Sequence, residues 1–312
     1  MKKILFTGGG GAGNEALWRL LGQKYSLYFG DADLNAINPD IPADRHFRLP
    51  WASDPNYVAK MVDLCGRLNI DILVPGVDEE LLPLARNTME FGATRLLLPH
   101  AEYVETMLDK LQMIRALSDK EIPVPYSCAL NEDLKKIHFP CICKPRSGRG
   151  SRDVYVLDSL ADAISLASTK GEMAEKTLVQ DKVGGVEYTV QMLADADGRL
   201  RAIVPVRVGI KRGITLRAET ELEPLVINAC EHIHTAIPTG GCYNIQLMLT
   251  ADGKALPFEI NPRVSTTLCL SVAAGIDPIS IFLGDCTTEG MVPFTAGVTL
   301  QRHWVNQFSG IS

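Results

Sequence analysis

The feature that most constrains this chain is a change of rhythm. Over the first hundred residues short apolar strands alternate with helical stretches, and after Thr177 longer strands follow one another through hairpin signals. Lys3–Thr7 reads as a strand, Gly8–Gly11 as a glycine turn and Ala12–Gly22 as a helix. Ser26–Phe29, Asp71–Val74 and Arg95–Leu98 read as further strands, with helices over Tyr57–Leu68 and Glu79–Phe91. Such alternation implies a parallel sheet covered on both faces. Ala101–Leu117 has a helical pattern, and Pro123-Val-Pro125 punctuates it. Cys141–Lys144 and Asp153–Leu157 read as strands around a Gly/Ser/Arg loop, and Ser159–Ser168 as a helix capped by Ser159. Asp195-Ala-Asp197-Gly198 and Asp252-Gly253 are hairpin turns, which require antiparallel neighbours. The expected fold is an α/β domain followed by an α+β region.

The 312 residues are 46% hydrophobic, enough to bury about two domain cores. A net charge of -6 argues against general electrostatic attachment to nucleic acid or an anionic membrane. No apolar run approaches the ~18 residues of a membrane span. The apolar stretch before Gly8 is too short for a signal-peptide core, so a cytoplasmic protein is expected. The eight cysteines form no pair of C-x-x-C clusters. Cys141-Ile-Cys143 could be a metal clip, but it lies in an apolar strand run and reads as buried free thiols.

Gly8-x-Gly10-x-x-Gly13 follows a strand and opens a helix, and Asp31 closes the next strand. That is the dinucleotide-binding fingerprint in its expected context, and it raises an NAD(P)-dependent oxidoreductase as one reading. The plainer reading is that a tight strand-to-helix turn needs glycines.

The segment richest in chemistry is Gly241-Cys-Tyr-Asn-Ile-Gln246-Leu-Met248, then Asp252-Gly253, then Phe258-Glu259-Ile-Asn261-Pro-Arg263. With Asp252-Gly253 at the hairpin centre, Gln246 falls opposite Glu259 and Asn244 opposite Asn261, within a one-residue bulge. Alternation then gives Gln246, Glu259, Asn261 and Arg263 one face. One carboxylate and two amide oxygens suit Mg²⁺ held together with substrate phosphates, and Arg263 suits phosphate oxygens. The plain alternative is a solvated polar face with an Arg–Glu surface pair. Lys144 ends a strand beside the flexible Arg146–Ser151 loop, where its charge can meet phosphate, although this is not a P-loop. In Gln180-Asp-Lys-Val-Gly184-Gly-Val-Glu187, an extended segment breaks at glycines and resumes with an acid.

These segments together resemble the ATP-grasp superfamily, specifically the carbamoyl-phosphate synthase large-subunit type. The match is densest between Asp109 and Gly275 and rests on Asn244-Ile-Gln246, Glu259-Ile-Asn261-Pro-Arg263-Val-Ser265, Phe139-Pro-Cys-Ile-Cys-Lys144-Pro and Gly184-x-x-Glu187-Tyr. The resemblance implies a Rossmann-like pre-ATP-grasp α/β domain over 1–100, a lid subdomain over 112–182 and a core subdomain over 183–312. It implies Mg²⁺, with Mn²⁺ as a substitute, on Gln246, Glu259 and Asn261. It implies ATP contacts from Lys110, Lys144, Ser147, Gly148, Gly150, Ser151, Gln180, Asp181, Lys182, Val183, Glu187 and Met248. Arg263, Lys144 and Lys211 take the catalytic roles, the Lys211 match being loose. The chain has one ATP-grasp core, no glutaminase segment and no allosteric extension, which sets it apart from carbamoyl-phosphate synthesis. Stand-alone relatives join a carboxylate to an amine, so the expected partners are those two small molecules, with a homodimer as the candidate assembly. Carboxyphosphate formation, a kinase on the same scaffold and an ATP-holding regulatory subunit are the alternatives. The acceptor side is expected along the 8–13 loop, the Pro75–Glu80 turn and Ser265–Leu268.

Overall fold

The computed structural model describes residues 1–148 and 153–303. In chain order the first elements are β1 (Lys3–Thr7), α1 (Asn14–Leu21), β2 (Ser26–Asp31), β3 (His46–Arg48), α2 (Tyr57–Leu68), β4 (Ile72–Val74), α3 (Asp78–Arg86) and β5 (Arg95–Leu96). Their strands form one parallel sheet in the order β3-β2-β1-β4-β5. Its two faces bury separate apolar sets. Leu5 and Leu73 pack with Met61, Leu81 and Leu84 of α2 and α3, whereas Ile4, Phe6 and Ile72 face the opposite layer. The helix expected to Phe91 ends at Arg86, and a 3₁₀ turn over Thr88–Phe91 follows. The helix expected from Ala12 starts at Asn14, because Gly13 holds φ at 102°.

The single helical stretch expected over Ala101–Leu117 is two helices, α4 (Ala101–Leu108) and α5 (Lys110–Ser118). Asp109 is extended at φ −100° and ψ 107°, and its Oδ1 accepts from the N–H groups of Leu111 and Gln112. A side chain that satisfies the orphan donors of a new helix ends the old one. Then come β6 (Ser127–Ala129), β7 (Cys141–Pro145), β8 (Tyr155–Leu157), α6 (Leu160–Lys170) and β9 (Thr177–Asp181), giving an antiparallel sheet in the order β6-β9-β7-β8. Ser159 caps α6 as expected, accepting from the Asp162 N–H. Cys141 and Cys143 lie fully buried in the small core of this unit, and burial pushes both thiols up to about 11.

The last sheet contains β10 (Val186–Ala194), β11 (Leu200–Arg212), β12 (Ile214–Thr220), β13 (Gly241–Leu249), β14 (Ala255–Asn261) and β15 (Thr299–Gln301), with α7 (Pro224–Ala236), α8 (Leu268–Ala273) and α9 (Pro278–Leu283). Its order is β14-β13-β10-β11-β12-β15. One face is apolar. Tyr188, Val190, Met192, Tyr243, Ile245, Leu247 and Ile260 pack on Val226, Cys230 and Ile233 of α7. The other face changes character along the strands. Leu193, Ala202, Val204, Val206 and Cys242 join Ile4, Phe6, Leu27 and Phe29 of the parallel sheet in one core, closed by α8 and α9. The remaining length of that face is polar.

Candidate functional site

The polar end of that face is fixed by strand register. Gln246 pairs with Glu259 and Asn244 with Asn261, and the register shifts by one residue between Gln246 and Leu247. On β10, Glu187 lies opposite Met248, Thr189 opposite Gln246 and Gln191 opposite Asn244. Directly paired residues share a face, so Glu187, Met248, Gln246, Glu259 and Asn261 are brought together. The surface-pair alternative for Arg263 does not hold. Its Nε donates to Asp78 Oδ1 at 2.5 Å and its Nη1 to the Val264 carbonyl at 3.0 Å, with both ion-pair side chains about 15% exposed.

Three lysines reach this face from different elements. Lys144, from the end of β7, donates to Gln180 Oε1 at 3.0 Å and lies 3.4 Å from the Phe258 carbonyl. Lys110, at the first turn of α5, donates to the Gly148 carbonyl at 2.8 Å and lies 3.7 Å from Glu259 Oε1. Lys211, near the end of β11, donates to Glu187 Oε1 at 2.6 Å and Gln246 Oε1 at 3.0 Å. Lys110 and Lys144 are buried, at 7% and 8% exposure. Burial pushes the Lys144 ammonium down to about 8. Glu259 pulls it up, and Lys110 and Lys211 push it further down. A buried cation cluster around one or two carboxylates lacks anionic charge, which is the condition a polyphosphate relieves.

The donor set fits a hard divalent cation. Asn261 donates its Nδ2 to Asn244 Oδ1 at 3.2 Å, which leaves its own amide oxygen facing away from that bond. Asn244 in turn donates to the Arg263 carbonyl at 3.0 Å, so it braces the ligand strand rather than adding a ligand. Glu259, Gln246 and Asn261 thus bring one carboxylate and two amide oxygens to one face, the kind of ligand Mg²⁺ takes, with the Gln246 oxygen accepting from Lys211 in this structure.

The other expected contacts divide. Gln180 is buried, and its Nε2 donates to Ser127 Oγ at 2.9 Å. The Asp181 carboxylate is committed to His138, accepting from its backbone N–H and facing Nδ1, each at 2.9 Å, and the Asp181 N–H donates to the Tyr126 carbonyl at 2.9 Å. Among the described residues the backbone groups of Lys182 and Val183 make no protein hydrogen bond. Ser147 and Gly148 are exposed at the end of β7, whereas Gly150 and Ser151 lie outside the described residues.

The glycine loop is turned inward. The Gly9 N–H donates to the Gly30 carbonyl, Gly11 to Gly8, and Gly10 to Asp31 Oδ2 at 2.9 Å. A Cβ on Gly13 would come 3.0 Å from Cys269 Sγ and from the Thr266 carbonyl, so the loop packs on the segment after Arg263. The Pro75–Glu80 turn is fastened by Glu80, 1% exposed, which accepts from Thr7 Oγ1, Tyr57 OH and the N–H groups of Gly76 and Val77. Burial raises the Glu80 carboxyl even against those four donors. The three segments expected on the acceptor side therefore meet one another.

Sequence reasoning missed Asp78, Asp109 as a partner, and Arg146. Arg146 stands two residues beyond Lys144 on one strand face, a spacing that could have signalled it. Nothing local ties Asp78 to Arg263.

A family model described as "ATP-grasp in the biosynthetic pathway with Ter operon" matches residues 173–307. The ADP complex of an N5-carboxyaminoimidazole ribonucleotide synthetase superposes with a TM-score of 0.72 at 13% identity, covering 95% of this chain and 79% of that one. The chain thus has the fold of that synthetase, and its residues 173–307 resemble the ATP-grasp family. Among curated proteins, a carbamoyl-phosphate synthase of Methanobrevibacter smithii is 23% identical over 265 residues, 78% of this chain and 69% of the relative. An L-amino acid ligase of Bacillus licheniformis superposes on this chain with a TM-score of 0.67 at 16% identity, covering 91% and 74%. The match fits the three sheets described above, the first parallel and the other two antiparallel. No described helix is long and apolar enough to cross a membrane.

Proposed function

We propose that this chain is an ATP-dependent carboxylate–amine ligase that cleaves ATP to ADP and phosphate through an acyl phosphate. The observation that carries the reading is the convergence of Lys110, Lys144 and Lys211 on the polar strand face of Glu187, Gln246 and Glu259. The adenine edge would meet the free backbone groups of Lys182 and Val183 beside Gln180, Asp181 and Met248, and the ribose would meet Glu187. Mg²⁺ bound to Glu259, Gln246 and Asn261 would neutralise phosphate charge. Lys110, Lys144 and Arg263 would hold the terminal phosphates in line for attack, with Ser147 and Gly148 beside them. A carboxylate oxygen attacks the γ-phosphorus and ADP leaves. An amine then attacks the acyl carbon and phosphate leaves, and the covered site keeps water from the intermediate. The proposed units are the Rossmann-like domain 1–100, the lid 112–182 and the core 183–312. The eight cysteines are free, which fits the cytoplasm, and a homodimer is the assembly to seek by light scattering.

The test is nucleotide product analysis over pools of carboxylic acids and amines. One amide, one ADP and one phosphate per turnover are expected. AMP with pyrophosphate overturns the mechanism, and a phosphorylated final product replaces it with a kinase. Glu259→Ala removes the only carboxylate of the metal set and should cut turnover by roughly 10²-fold or more. Near parental ADP formation by that variant contradicts the metal assignment. The N–H groups of Gly9, Gly10 and Gly11 are taken up within the fold, which disfavours the oxidoreductase reading. NADH and NADPH titrations followed by fluorescence should show no saturable binding.

A further inference from the structure

Lys110 is anchored to the phosphate-side loop by a neighbour outside the proposed contact set. Arg146 makes a fork to Asp109, with Nη2 at 2.6 Å from Oδ2 and Nε at 3.1 Å from both carboxylate oxygens. The two side chains are 20% and 17% exposed, and Arg146 Nη1 also donates to the Glu175 carbonyl at 3.2 Å. The backbones are tied alongside. The Lys110 N–H donates to the Arg146 carbonyl at 2.8 Å, and the Arg146 N–H to the Lys176 carbonyl at 3.0 Å. Burial raises the Asp109 carboxyl, but the Arg146 guanidinium and the helix N–H groups together outweigh it and hold it below its ordinary value, while Asp109 holds Arg146 above its own. Asp109 therefore does two things at once: it caps α5 and it clasps β7.

We infer that the Asp109–Arg146 pair is a positioning device that sets the spacing between Lys110 and Lys144, and so tunes the site for the polyphosphate rather than for the nucleoside. Lys144 lies in β7 two residues before Arg146, which directly follows the strand, and Lys110 directly follows Asp109. Each lysine has a long flexible side chain whose reach depends on where its backbone is held. Without the fork, the start of α5 and the segment after β7 keep the Lys110 N–H bond to the Arg146 carbonyl and the Lys110 Nζ bond to the Gly148 carbonyl, and the separation of the two ammonium groups is less tightly set. The adenine and ribose side, around Gln180 and Glu187, does not touch the fork. The inference rests on the ATP-binding reading above.

The test separates the parts of the pair. Asp109→Asn keeps a good helix cap and loses the charge, whereas Arg146→Gln leaves the cap untouched. Binding of Mg·ATP and of adenosine to the full chain is measured by calorimetry, so no acceptor need be known. Each variant should weaken Mg·ATP by about tenfold, the scale of one charge-assisted hydrogen bond, and leave adenosine unchanged. The double variant should be no worse than the weaker single. Arg146→Lys should resemble Arg146→Gln, because an ammonium cannot make the fork. Parallel loss of adenosine affinity, multiplying effects in the double variant, full rescue by Arg146→Lys, or unchanged Mg·ATP binding each overturns the inference while leaving the functional reading standing. A parent chain that binds no Mg·ATP overturns both.

Discussion

Lys144 carries a charge in a place that resists it. Its ammonium is buried, with a value near 8 against 10.5 for the free side chain, and burial is the largest cause. Above about pH 8 the empty site therefore holds much of Lys144 neutral, and bound phosphates restore the proton. Mg·ATP binding at pH 8–9 should take up protons, read as a dependence of the calorimetric enthalpy on buffer ionisation. A buffer-independent enthalpy contradicts the assignment. The linkage to stability has a definite sign. The folded value lies below the unfolded one, so the contribution of Lys144 is full above the unfolded value and is lost as pH falls through about 8. Lys144→Met should stabilise the empty chain at pH 7 by about 1–3 kcal/mol in denaturant titrations while abolishing ATP turnover. That Gln246, Glu259 and Asn261 share one face was readable from residue type and spacing, because a strand's alternation is local. The ion pair of Asp78 with Arg263 was not, because 185 residues separate the partners and no periodicity links them.

Among the elements, β13 and β14 were read with their register, since a two-residue turn signal and period-two alternation fix which residues face each other. The break between α4 and α5 was missed because the apolar pattern continues through it and Asp109 acts by capping rather than by hydrophobicity. β3, α7, α8 and α9 were not assigned. Of these, α7 carries a testable polar group. His234 is buried, receives the Tyr243 hydroxyl at Nδ1 at 2.8 Å and pairs through Nε2 with the Gly198 carbonyl at 3.0 Å. Burial holds the imidazole below its ordinary value of 6.5. Its neutral form thus supports the fold above about pH 6.5, and that support fades as pH falls through the lowered folded value. The melting temperature should drop between pH 7 and 5, and the slope should be shallower in His234→Gln. An equal slope in the two proteins would assign the pH dependence elsewhere.

At the scale of the molecule, the change from alternating to hairpin-joined strands was legible, and it separates the parallel sheet from the two antiparallel ones. The sharing of a core was not, since no local pattern says that Phe6 and Phe29 will lie against Val204 and Cys242. The four-stranded sheet has a smaller core of its own, built on Cys128, Cys141, Cys143, Leu157 and Val179. Amide hydrogen exchange should therefore be faster at β6, β7 and β9 than at β1, β4, β10 and β13, which belong to or adjoin the shared core. Mg·ATP should slow exchange at β7 and β9 most. Uniform protection across the three sheets would contradict this partition.

That shared core bears on how the chain is made. Ile4, Phe6 and Phe29 are synthesised well before Leu268, Ile279 and Phe282, which are among the residues that cover them. At the ~5–20 residues per second of translation, the inner face of the parallel sheet waits many seconds on the ribosome for its cover. During that interval the nascent parallel sheet presents an open apolar surface of the kind that holdase chaperones recognise. A ribosome stalled before residue 268 would leave that surface exposed, however well the glycine loop and Glu80 had already closed the other end of the sheet.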